Sequence, residues 1–160
     1  MAAKESAVDP SRLMIITRVI DAPAQLVFEA WTHPDHLKYW WGPSGFATTT
    51  SAFELASGGT WRFVMHGPEG TDYENRIVFE EVTPAKRLVY HHEDGGGCNQ
   101  FQTIVTFEEI DGKTRVTLQA EFPSAEERDR VLREHGAEEG GRQTLDRLGV
   151  YVAGMRVGRR

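Results

Sequence analysis

The chain has 160 residues, 39% apolar and 26% charged, enough for one domain with its own core. Its 18 basic and 24 acidic side chains give a net charge of −6, and an acidic surface offers no basic face to phosphate, so nucleic acid is not an expected partner. No stretch reaches the ~20 apolar residues of a membrane span, the N-terminus has no secretory apolar region, and the single cysteine, Cys98, allows no intrachain disulfide. A cytoplasmic setting is the default that follows.

In chain order, residues 1–11 read as a disordered lead and residues 12–158 as a single domain. Leu13 to Ile20 is apolar and rich in β-branched residues, which predicts a strand. Asp21-Ala22-Pro23 then opens a helix, with Asp21 as the expected cap and Pro23 in the first turn. Val27, Phe28 and Trp31 form its apolar face. Thr32-His33-Pro34 ends it, and Pro34 and Asp35 open a second short helix that finishes at Trp40 and Trp41 before Gly42-Pro43.

From Phe46 the period changes to two. Strands are predicted over 60–66, 72–82, 86–93 and 101–108, separated by turn residues at 58–59, 67–70, 83–84 and the glycine-rich 94–98. Asp111-Gly112 is a two-residue hairpin signal. Beyond it, Val116, Leu118, Ala120 and Phe122 alternate cleanly with Arg115, Thr117, Gln119 and Glu121. Ser124 caps a helix whose first turn carries Glu126 and Glu127. Helical character runs on to the end, weakened at Gly136 and Gly140-Gly141, with Leu145, Leu148, Val152 and Met155 on one face. A sheet with one wet face must bury the other, and the long C-terminal helix is the element able to cover it.

The residue types that carry chemistry are few. Trp40 and Trp41 read mainly as anchors, one under the sheet rim and the other at a cavity mouth or in solvent. His33 and His36 are three apart but lack the further ligands of a zinc site, with Asp35 and His66 the nearest candidates, so no metal is expected. His91 and His92 are strand neighbours and point to opposite faces. His92 shares parity with Leu88 and Tyr90, which turns it inward beside Tyr73 or Asn75 and makes it the candidate for acid–base work. Asn75 is the polar member of the face formed with Tyr73, Ile77 and Phe79. Arg62 and Arg76 belong to the wet face, and Glu54 or Glu81 would give the interior a polar pole if turned inward. Cys98 reads as incidental and the run at 95–97 as a loop, not a phosphate cradle. No nucleophile elbow and no Ser-His-Asp spacing is present.

Several pieces together resemble one superfamily. They are Asp21-Ala22-Pro23, the Val27-Phe28 and Ala30-Trp31 helix, Pro34 and Leu37 followed by Trp40-Trp41-Gly42-Pro43, GGTWRFVMHGPEG at 58–70, VTPAKRLVY at 82–90 and QTLDRLGVY at 143–151. This set is similar to the SRPBCC superfamily of START and birch-pollen-allergen-like proteins. Within it, the set is most like the family named for the activator of the ninety-kilodalton heat shock protein's ATPase. The resemblance implies an α+β helix-grip fold: a curved antiparallel sheet of six to seven strands around a long C-terminal helix, with two short helices after the first strand. It further implies a cavity for an apolar ligand such as a lipid, a flavonoid or a polyketide-like aromatic. Some members that it resembles cyclise polyketides. One branch is a co-chaperone with a second, N-terminal domain, for which this chain has only a short lead.

The reading is therefore a binder of an apolar small molecule without a cofactor. The alternatives are a cyclase-like or hydrolase-like enzyme using His92, and a co-chaperone that stimulates a heat shock protein ATPase. The expected ligand contacts are Trp41, Trp61, Phe63, Met65, Tyr73, Asn75, Ile77, Tyr90, His92, Phe101, Thr103, Leu145 and Leu148, with Phe79, Val105 and Leu118 completing the wall. Exposed sheet edges would permit a homodimer.

Overall fold

The computed structural model describes residues 10–42, 45–93, 102–135 and 137–158. Most of the expected lead, the loop at 95–97, Cys98 and Phe101 lie outside the described residues. After a single 3-10 turn at Pro10–Arg12, the order is β1 (Leu13–Ile20), α1 (Ala24–Trp31), α2 (Pro34–Trp40), β2 (Ala47–Phe53), β3 (Thr60–His66), β4 (Asp72–Thr83), β5 (Arg87–Glu93), β6 (Gln102–Ile110), β7 (Lys113–Glu121), α3 (Ala125–His135) and α4 (Ala137–Gly158). The seven strands form one antiparallel sheet in the order β1-β7-β6-β5-β4-β3-β2. This is the α+β helix-grip architecture.

Two register shifts, at Thr50/Ala52 and at Phe79/Glu81, bend the ribbon. The β6–β7 hairpin turns on Asp111 and Gly112, with φ of 55° and 79°, the left-handed pair that a type I′ turn needs. Ile16, Leu118, Val105, Leu88 and Val82 form one row across the concave face. Met14, Ala120, Thr103, Tyr90 and Phe79 form the next, and His92, Ile77, Trp61 and Phe53 a third.

The helix α4 covers this face with Leu145, Leu148, Val152 and Met155, all buried, and packs beside β1, α1, α2 and α3. It runs unbroken through Gly140-Gly141. A Cβ on Gly141 would lie 2.5 Å from Ile16 Cδ1, so this glycine serves close approach to β1 and does not end the helix. Ser124 caps α3, accepting from the Glu127 N–H at 3.0 Å. The cap of α1 differs from expectation. Pro23, which has no acceptor side chain, precedes the helix, and the Ala24 N–H donates instead to Glu109 Oε1 of β6 at 2.9 Å. A carboxylate held by the sheet thus satisfies the positive end of α1.

Candidate ligand-binding site

The aromatic residues of α1 and α2 enter part of the concave face. Trp40 and Trp41 are both buried, which corrects the expectation that one would face a mouth or solvent. Trp40 packs edge-on against Trp31, ring centroids 5.0 Å apart, and its indole N–H donates to the Ala30 carbonyl at 3.1 Å. Trp41 lies 4.9 Å from Trp61 and 6.0 Å from Phe63. Trp61 and Phe63, two residues apart on β3, stack at 4.0 Å. The contacts continue through Phe53 to Phe79 and Tyr90. Edge-to-face pairs of this kind add to the stability from area burial alone.

The chain break after the tryptophans has a steric reason. Gly42 has φ of +101°, which a side chain would strain, and a Cβ there would also push on the mobile end of Met65, 2.9 Å away at Cε. Its carbonyl accepts from Arg147 Nη1 at 2.8 Å, while Nη2 of the same guanidinium donates to the Tyr39 carbonyl at 3.2 Å. Arg147 therefore clamps α4 to the C-terminal end of α2, where a cation is favoured. Partial burial lowers its pKa.

Other positions of the same face are less covered. Met65, Asn75 and His92 remain partly accessible on β3, β4 and β5. His92 stands opposite Ile77, with its ring 6.1 Å from that of Tyr90, so it belongs to the concave side. Leu118 lies between buried Ile16 and buried Val105 in the register, yet it is only partly buried. Tyr90 and Thr103 are buried cross-strand neighbours beside it. Burial holds the Tyr90 phenol well above the usual tyrosine range, partly offset by a hydrogen bond with Trp31. The phenol stays neutral and acts as a fixed dipole.

Of the expected contacts, Trp41, Trp61, Phe63, Ile77, Tyr90, Thr103, Leu145 and Leu148 line the buried interior, and Met65, Asn75 and His92 its partly open margin. Tyr73 is 48% exposed and leans on Phe46, ring centroids 6.1 Å apart. Parity alone placed it in the wall, but it sits beside the β3–β4 turn, opposite Met65. Asn75 Nδ2 donates to the Tyr73 carbonyl at 3.0 Å. Glu81 bonds Thr83 and Arg87 and Glu54 is exposed, so neither supplies a polar pole. The inward charge is instead Arg18 of β1, paired with Asp146 of α4 at 2.7 Å. Its parity with Ile16 and Ile20 was the signal for that.

The remaining histidines have other partners. His33 Nδ1 meets the Glu29 carbonyl at 2.9 Å, and His36 lies 2.6 Å from Tyr151 Oη and 3.5 Å from Glu29. Among the described residues no group of three metal-ligating side chains occurs. On the convex face, His66 bridges Asp72 Oδ1 and Thr49 Oγ1, each at 2.8 Å. Sequence spacing did not show this row. Its side chains are exposed, 40% for His66 and 61% for Asp72, so it is a cross-strand polar ladder in water, separate from the concave site. A shallow depression of about 360 Å³ lies between α2 and the outer side of α4, lined by Tyr39, Gln143, Asp146, Arg147, Val150 and Tyr151. It shares Asp146 with the Arg18 ion pair.

A family model described as Activator of Hsp90 ATPase homolog 1-like protein matches residues 21–153. The chain belongs to this family. A protein of Nitrosomonas europaea has the same fold with a TM-score of 0.84 at 24% identity, over 94% of this chain and 99% of that one. One of Arthrobacter aurescens gives 0.82 at 25% identity, over 89% and 87%. DynU16, a protein of the dynemicin biosynthetic locus, gives 0.67 at 21% identity, over 90% of this chain and 48% of that one. No curated protein sequence matches the chain. Family and fold together are of the ligand-binding kind. Among the described residues no helix is long and apolar enough to cross a membrane.

Proposed function

We propose that this member of the family binds a small, mostly apolar ligand between the sheet and α4, and that a planar aromatic compound suits it better than a long acyl chain. The observation that carries this reading is Leu118: a leucine between buried neighbours on the concave face that is itself only partly covered. Its accessible part is apolar surface on the concave face, which a hydrophobic guest would cover. Met65, Asn75 and His92 add a margin with a few polar atoms, which could orient the ligand without holding it by charge. The aromatic part, occupied by Trp41, Trp61 and Phe63, shortens the room for a chain and offers ring edges to a flat guest.

The test is a thermal-shift screen of flavonoids, chalcones, fatty acids and sterols, paired with native mass spectrometry. At a hundred times its dissociation constant a ligand adds about 2.7 kcal/mol, which raises the melting temperature of a domain this size by roughly 5–10 °C. A shift with planar aromatics and none with fatty acids supports the reading. A preference for long acyl chains would replace the aromatic class, and the absence of any shift would overturn ligand binding.

A further inference from the structure

We infer that β1 is a docking edge for a second copy of this chain, joined antiparallel about Thr17 to continue the sheet across a two-fold axis. The Phe122 N–H donates to the Arg12 carbonyl at 2.9 Å, which sets the even-numbered residues of β1 toward β7. The backbone groups of Leu13, Ile15, Thr17 and Val19 then face away from the sheet. Leu13 is already occupied, since Arg128 Nε of α3 donates to its carbonyl at 2.8 Å. Among the described residues, no partner is found for the edge-facing backbone of the next three. Their side chains are exposed on the convex face, Ile15 at 52% and Val19 at 58%.

An eight-residue edge of this composition is a template for pairing. Its one charge, Arg18, is turned to the concave side and paired with Asp146. The opposite edge, β2, is kinked by its register shift at Thr50/Ala52, which blunts it.

The register follows from the same residues. Pairing centred on Arg18 would set two like charges face to face. Pairing centred on Ile16 would need the Leu13 carbonyl that Arg128 holds. Centring on Thr17 avoids both. It sets Ile15 against the partner's Val19 on the convex face, and Asp21 beside the partner's Leu13, whose carbonyl carries a guanidinium. Two such short segments bury less than the ~1,600 Å² of a standard interface, which suits a reversible dimer.

Sedimentation velocity of the full chain from about 1 to 200 μM tests this, a range suited to a weak, reversible pair. The mass should double across the range, and Val19→Lys and Ile15→Lys, both at exposed positions, should hold it at the monomer. Val150→Lys, at a site 77% exposed on α4, should leave dimerisation unchanged. In a Cys98→Ser background, Thr17→Cys should cross-link to itself on mild oxidation, because a hydrogen-bonded pair at the axis brings the Cα atoms to ~5.5 Å. A wild-type chain that stays monomeric at 200 μM would overturn the proposal. So would a dimer that survives both lysine variants or yields to Val150→Lys.

Discussion

Filled and less covered positions of the concave face come from the same alternating strands and lie side by side across them, buried Phe63 opposite Asn75 and buried Ile77 opposite His92. Over Trp61, Phe63 and Ile77 the cover includes Trp41, and each of these side chains is buried. At Met65, Asn75 and His92, and at Leu118 on the floor, the same face stays partly accessible. Alternation sets which way a side chain points. Whether it is then packed or left with room depends on the short helices α1 and α2 and on the lean of α4 toward β1.

The comparison can be broken most severely at the filled positions. Trp61→Ala should cost about 3–5 kcal/mol in urea unfolding, because the indole is stacked on Phe63 and bonded through Nε1 to Thr50. A loss under about 1 kcal/mol would mean that these positions are not close-packed. Arg147→Met should cost about 1–3 kcal/mol, since the Gly42 and Tyr39 carbonyls lose a charged donor. It should also speed hydrogen exchange at the end of α2.

Leu118→Trp sharpens the contrast from the other side. Filling real space should change stability by less than about 1 kcal/mol while weakening any aromatic ligand tenfold or more; a loss of about 1–3 kcal/mol would show overpacking instead. The smallest effect is alkaline. The Tyr90 phenol is held above its ordinary pKa in the folded state. Its contribution is whole below about pH 10, and stability falls above that as the unfolded chain releases the proton more readily. Tyr90→Phe should flatten that slope, at a cost of about 1 kcal/mol at neutral pH for the bond with Trp31.

Much of the fold was legible in the residues. Apolar, β-branched runs marked β1 and β3 at their observed ends. Asp111-Gly112 marked its hairpin, and Leu145, Leu148, Val152 and Met155 marked the buried face of α4. These features depend on period and local dihedral preference, which neighbours in the chain carry. The inward parity of His92 followed from the same rule.

What only the tertiary structure decided are the meetings of residues far apart in the chain. Tyr73 has the parity of Ile77 but stands beside a turn, where its face meets solvent. Glu109, not Asp21, supplies the cap of α1, because curvature brings β6 under that helix. Arg18 finds Asp146, Arg147 finds Gly42, and Trp41 finds Trp61, each across a gap in sequence that carries no periodic signal. Local sequence sets each element and the direction of its side chains. Packing of the curved sheet against its helices settles which of them are buried, paired or left partly exposed, because burial is a property of the assembled surface and not of any one segment.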